Sequence, residues 1–158
     1  MLLRFYKIRV RSVLEYGSII WNPCRISLSD MVESVQRRFT RLFPDLSSLP
    51  YRERLCKLNL LSLNARRLRY QLIFLYKILN NLVDVNPSDY FSFPVRASTR
   101  GNPLKLLPST STKDCRRHFF SIDIVFHWNR MTHQEVSVNN VNDFKRSVLC
   151  YFLRSDIW

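Results

Sequence analysis

The chain holds two glycines in 158 residues. A phosphate-cradling loop or a dinucleotide fingerprint needs several at close spacing, so both are excluded. Uncharged runs are equally scarce. The longest, residues 16–24, falls far short of the roughly 18 apolar residues of a membrane-spanning helix. Arg4, Lys7, Arg9 and Arg11 interrupt the apolar start before a signal-peptide core forms. Cys24, Cys56, Cys115 and Cys150 stand alone, with no C-x-x-C pair. That spacing excludes a local zinc knuckle and predicts free thiols in a reducing compartment, the nucleus or the cytoplasm.

Acid is the other shortage: twelve Asp and Glu against 25 Lys and Arg. Two-metal phosphoryl chemistry needs clustered carboxylates holding ions about 4 Å apart. The sequence has no Asp-Asp pair and no Y-x-D-D, and Asp84 and Asp89 flank a proline-marked turn. None of His118, His127 and His133 has a local Ser or Cys partner for nucleophilic catalysis. His127, beside Trp128, reads as a core histidine. The expectation is no catalytic residue, no metal and no cofactor.

What the chain has is apolar and cationic. Apolar residues make up 46% and aromatics 13%, enough for a packed core without staples. The net charge of +13 comes from nineteen Arg and only six Lys. Guanidinium groups grip phosphate bidentately and stack on bases, which an ammonium does not do. The charge is spread, with +6 on residues 1–58, +2 on 59–90 and +5 on 91–158. A distributed basic surface suits a polyanion better than a single phosphate, and nucleic acid is favoured over a merely basic protein.

Periodicity predicts a mainly α chain in three parts. Residues 1–82 read as a helical bundle, 83–113 as a Pro/Ser-rich linker or hairpin, and 114–158 as two C-terminal helices. In the first part, an amphipathic helix closes at Gly17, and Pro23 ends the next stretch. A second helix begins near Ser27 or Ser29 and stops before Pro44. Its apparent core stripe is Leu28, Met31, Val32, Val35, Phe39, Leu42 and Phe43. A short helix runs over residues 51–58, and the longest starts at the N-cap Ser62 and extends to about Leu82.

Two arginine clusters follow. Arg37, Arg38 and Arg41 sit at a helix C-terminal end, where the dipole favours cations, so helix stability and phosphate contact explain them equally. Arg66, Arg67 and Arg69 sit near a helix start, where the dipole disfavours cations, which tilts the reading toward function. Between Pro87 and Pro108, short extended pieces are expected around residues 90–95 and 103–107, with Arg100-Gly101-Asn102 as a hairpin tip. That segment reads either as a groove-reaching hairpin carrying Arg100 or as a mobile basic linker. In the last part Phe119, Phe120, Phe126 and Trp128 read as core or interface, and Asn140 caps the final helix.

The order LEYGSIIWNP, VQRRFTRLFP, RLRYQLIFLYKILN, HWN and NDFKRSVLCYFL resembles the C-terminal region of a non-LTR retrotransposon (LINE-type, jockey-like) reverse transcriptase. The most specific pieces are Leu14-Glu15-Tyr16 with Trp21 and Pro23, residues 35–39, Tyr51 with Arg54-Leu55, residues 68–79, Arg100-Gly101, Trp128-Asn129 and Phe144-Lys145. The likeness spans about residues 4–153. Phe43-Pro44-Asp45 and Asn64-Ala65 depart from the family pattern and affect local packing. The family's RNA-directed DNA polymerase palm and fingers have no counterpart here. The resemblance implies thumb and connection helices that hold template–primer duplex, RNA/DNA or RNA, by its backbone phosphates and shape. The contacts expected on this chain are Arg37, Arg38, Arg41, Arg66, Arg67, Arg69 and Arg100, and the missing carboxylate cluster leaves no polymerase activity of its own expected. The alternatives are an orphan helical module that docks the palm or another protein through its aromatic C-terminal helices, and a non-functional truncated element copy.

Overall fold

The computed structural model describes residues 1–94 and 104–157, without the side chains of Asp114 and Cys115. The expected hairpin tip with Arg100 therefore lies outside the described residues. The protein is mainly α. Its helices are α1 (Leu2–Phe5), α2 (Arg11–Glu15), α3 (Ser18–Trp21), α4 (Ile26–Thr40), α5 (Tyr51–Lys57), α6 (Leu63–Leu79), α7 (Asp114–Arg117), α8 (Phe120–Arg130), α9 (His133–Val136) and α10 (Val141–Arg154). A π-helical stretch, Tyr6–Val10, joins α1 to α2. Among the described residues, extended pairing amounts to one antiparallel bridge between Ser92 and Leu107. No helix among them is long and apolar enough to cross a membrane.

The chain forms two compact units, Met1–Arg67 and Leu68–Ile157. The division falls inside α6, well ahead of the proline-marked change near Leu82.

In the first unit, Gly17 adopts φ +63°, the left-handed conformation that a glycine takes without a Cβ penalty, and α3 starts there. α4 is capped by neither Ser27 nor Ser29; its N-cap is Arg25, which makes no side-chain cap bond. The expected apolar stripe of α4 is also displaced. Leu28, Met31 and Leu42 are exposed, Met31 at 66%, while Glu33, Gln36 and Thr40 are buried. These three share a face by their three-and-four spacing, and it is this polar stripe that turns inward. Phe39 keeps an inward role, its ring stacked on Tyr6 with centroids 4.0 Å apart.

The second unit has a conventional apolar interior. Tyr76 stacks on Phe144 at 4.3 Å, and Phe144 packs against the fully buried Trp128. Trp128 Nε1 donates to the Leu104 carbonyl at 2.7 Å. The Asn129 side chain accepts from Leu106 N at 3.0 Å and donates to its carbonyl at 2.8 Å. Trp128-Asn129 thus pins the segment that carries Leu107 to its bridge with Ser92. Asn140 caps α10 as expected, accepting from Asp143 N at 2.8 Å. Thr132 and Glu135 form a capping box on α9, a helix that hydrophobic periodicity does not signal. The stretch expected as one helix over residues 116–130 breaks at His118 into α7 and α8.

Candidate nucleic-acid interface

The basic side chains of the first unit fall into an engaged group and an exposed group, and a buried polar network separates them. At its centre is Glu33 on α4. Its carboxylate accepts from the backbone N–H groups of Leu63 and Asn64 at 3.1 Å each, and from the Tyr51 hydroxyl. Those N–H groups open α6 and have no intrahelical acceptor, so a buried carboxylate both satisfies them and complements the helix dipole. The Ser62 hydroxyl adds the cap, accepting from Ala65 N at 3.1 Å. Gln36 extends the network. It accepts from the Tyr6 hydroxyl at 2.8 Å and donates to the Tyr51 hydroxyl and the Leu61 carbonyl at 3.0 Å each. Burial, and for Tyr51 the adjacent Glu33, raises both phenol pKa values well above the ordinary tyrosine range. Arg54 closes the far end, donating to Thr40 Oγ1 at 3.1 Å and to the Leu49 carbonyl at 2.6 Å.

The cations at the start of α6 belong to this interior. Arg66 forms a two-pronged pair with Glu15 of α2, its Nη2 lying 2.9 Å from Oε2. Arg67 is almost fully buried, donating to Asn22 Oδ1 and to Ser29 Oγ at 2.9 Å each. Burial lowers its pKa, an effect opposed by the charges of Glu33 and Glu15. Cations at a helix start need compensation, and here the compensating partners are internal. Glu15 and Asn22, from the LEYGSIIWNP block, take the donors expected to face phosphate. Arg69 is half-buried and belongs to the second unit.

The second cluster points outward. Arg37 and Arg38 occupy the last turn of α4, and Arg41 is its C-cap residue. At three- and four-residue spacing, Arg41 shares a helix face with each of the others. All three are exposed. Arg37 pairs with Asp30 at 3.2 Å and lies over the Tyr51 ring, 5.4 Å from its centroid. Arg38 and Arg41 have no acidic partner among the described residues. A concavity of about 350 Å³ beside them is lined by Asp30, Glu33, Arg37, Tyr51, Ser62 and Asn64. With two carboxylates against one guanidinium, it does not suit a phosphate.

In the C-terminal part, Trp128 is fully buried and so is not available as a docking anchor, and Phe120 packs against Phe74 and Phe91. Phe119 and Phe126 remain exposed. His127 is the half-buried histidine that its apolar neighbours predict. It lies 3.1 Å from the Tyr151 hydroxyl, with its pKa lowered by burial. No group of three or more His, Cys, Asp or Glu with metal-binding geometry occurs among the described residues. Cys24, Cys56 and Cys150 are free and exposed.

These features define a basic, mainly α protein with a polar-cored first unit and an arginine-bearing helix end. No protein-family model matches the chain, and no curated protein and no solved structure matches it.

Proposed function

We propose that the chain is the thumb and connection region of a non-LTR retrotransposon reverse transcriptase, and that it grips template–primer duplex by backbone phosphates without performing polymerisation. The observation that carries the reading is the exposed arginine cluster of Arg37, Arg38 and Arg41, at the end of a helix whose Glu33, Gln36 and Thr40 face is locked into the buried network. Arg38 and Arg41 are the principal contacts, and Arg37 joins them by exchanging Asp30 for phosphate. Arg66 and Arg67 orient α6 rather than touch nucleic acid. The order of the sequence blocks supports the same assignment, and the distributed charge of +13 suits a duplex recognised by shape rather than by base sequence.

The test is fluorescence-anisotropy binding of an RNA/DNA hybrid across a salt series. Neutralising about three phosphates, one each by Arg37, Arg38 and Arg41, gives a log–log salt slope of about −2.7. A salt-insensitive or absent interaction in a folded chain rejects the reading.

One feature favours a protein-docking module as the second reading. Val13, Tyr16, Ile20, Ile26 and Met31 of the first unit are all exposed, Ile20 at 88%. Exposed apolar side chains of this number suit an apolar partner, whose binding would barely respond to salt.

A further inference from the structure

The second unit contains a concavity of about 580 Å³ in which aromatic rings and cations meet. It is bounded by Asp89 and Tyr90, by Ser109 and Lys113 ahead of α7, by Arg116 of α7, and by Phe119 with the first turn of α8. Tyr90 is 52% and Phe119 51% exposed, and neither ring stacks on another ring among the described residues. Half-exposed rings with free faces leave a flat apolar surface available for stacking. Lys113 and Arg116 have no acidic partner among the described residues. Asp89 is the one described carboxylate in the lining, and Asn86 donates to it at 3.2 Å. The cations therefore outnumber the acid.

We infer that this concavity is a binding site for single-stranded nucleic acid, in which Tyr90 and Phe119 stack on bases while Lys113 and Arg116 hold the adjoining phosphates. Each half of that ligand answers one half of the lining. An aromatic base offers a face to the exposed rings regardless of its identity, and a flanking phosphate answers the cations. A duplex buries its base faces in its own stack and has nothing to offer the rings. The site thus takes an unpaired end or template overhang, where the arginine cluster of α4 takes paired backbone. The inference rests on the nucleic-acid reading above and adds a second, strand-selective site to it.

The test compares the full-length chain and its variants on two probes by fluorescence anisotropy: an oligo-uridylate of about 12 nucleotides and a blunt RNA/DNA hybrid. Tyr90→Ala and Phe119→Ala should each weaken oligo-uridylate binding about 5- to 160-fold and leave the blunt hybrid unchanged. Tyr90→Phe and Phe119→Tyr should retain binding. Replacing both Lys113 and Arg116 by Gln should make the single-strand salt slope shallower by about 1.4. On the unmodified chain, a 4-thiouridine oligonucleotide should photocrosslink to peptides carrying Tyr90 or Phe119, a readout that does not depend on any variant folding. Crosslinks elsewhere, unchanged single-strand affinity in the alanine variants, or equal competition by polyglutamate overturns the site. Failure of the hybrid arm alone would reject the duplex grip and leave this site standing.

Discussion

The two units solve the problem of a core in opposite ways. Met1–Arg67 buries Glu33, Gln36, Thr40, Arg54 and Arg67 beside Tyr6, Leu55, Leu60 and Leu63, and leaves Ile20, Ile26, Met31 and Leu42 in contact with solvent. Leu68–Ile157 buries Trp128, Phe144, Val148 and Phe152 and fully buries none of its described cations, Arg69 being half-buried. In the first, directional bonds position helices: α4, α5, α6 and the Tyr6–Val10 stretch meet through one carboxylate, one amide and two phenols. In the second, shape and apolar area do the same work. A polar interior is less forgiving, because every donor left unbonded carries its full desolvation cost. It also fixes geometry more narrowly, which suits a unit whose proposed task is to hold an arginine cluster in place.

The largest effects should come from breaking each core at its centre. Trp128→Ala removes the largest fully buried side chain and its bond to the Leu104 carbonyl, and should cost about 3–5 kcal/mol in chemical denaturation. Glu33→Ala strands two helix-terminal N–H groups and the Tyr51 hydroxyl, for about 3 kcal/mol or more. A loss below about 1 kcal/mol for Glu33→Ala would mean that the polar network does not organise the first unit. Asn140→Ala probes a cap alone and should cost about 1 kcal/mol.

Acid should add a smaller effect in the second unit. His127 has a lowered folded pKa, so below the ordinary histidine value near 6.5 the unfolded chain binds the proton first. Stability from this residue is present above that pH and is lost as pH falls toward the folded value. His127→Gln should flatten the acid limb of the stability–pH curve; an unaltered limb would remove His127 as its cause. At the alkaline end the sign reverses. Tyr6 and Tyr51 stay protonated in the fold while their unfolded counterparts ionise near pH 10, so stability falls as pH rises past that point. Tyr51→Phe should remove part of that fall.

Much of this architecture is legible in the sequence where the signal is local. Gly17, the cap residues Ser62 and Asn140, the helix stop before Pro44 and the helix start after Pro50 all act within a turn of their own position. What escapes is long-range. Reading α4 by hydrophobicity selects Leu28, Met31 and Leu42 as core, whereas Glu33, Gln36 and Thr40 carry an equally regular spacing that an apolar scale does not score. The partners of Arg66 and Arg67 lie far back in the chain, at Glu15, Asn22 and Ser29, and no window on α6 reveals them. The dipole argument therefore detects that those cations need compensation without telling whether a carboxylate or a phosphate supplies it. The convergence of Tyr90 and Phe119 on one concavity across a proline-rich stretch is hidden for the same reason.

The central claim is that the two arginine clusters of the first unit have different jobs, and one paired measurement tests it most directly. Hybrid-duplex affinity across a salt series should be recorded for Arg38→Gln/Arg41→Gln and for Arg66→Gln/Arg67→Gln, with thermal melts of both. The first pair should weaken binding and make the salt slope shallower by nearly 2, at about 0.9 per lost phosphate contact, with the melt unmoved. The second should lower the melting temperature and leave the slope of the folded fraction intact. A slope that follows Arg66 and Arg67 and ignores Arg38 and Arg41 would contradict the account.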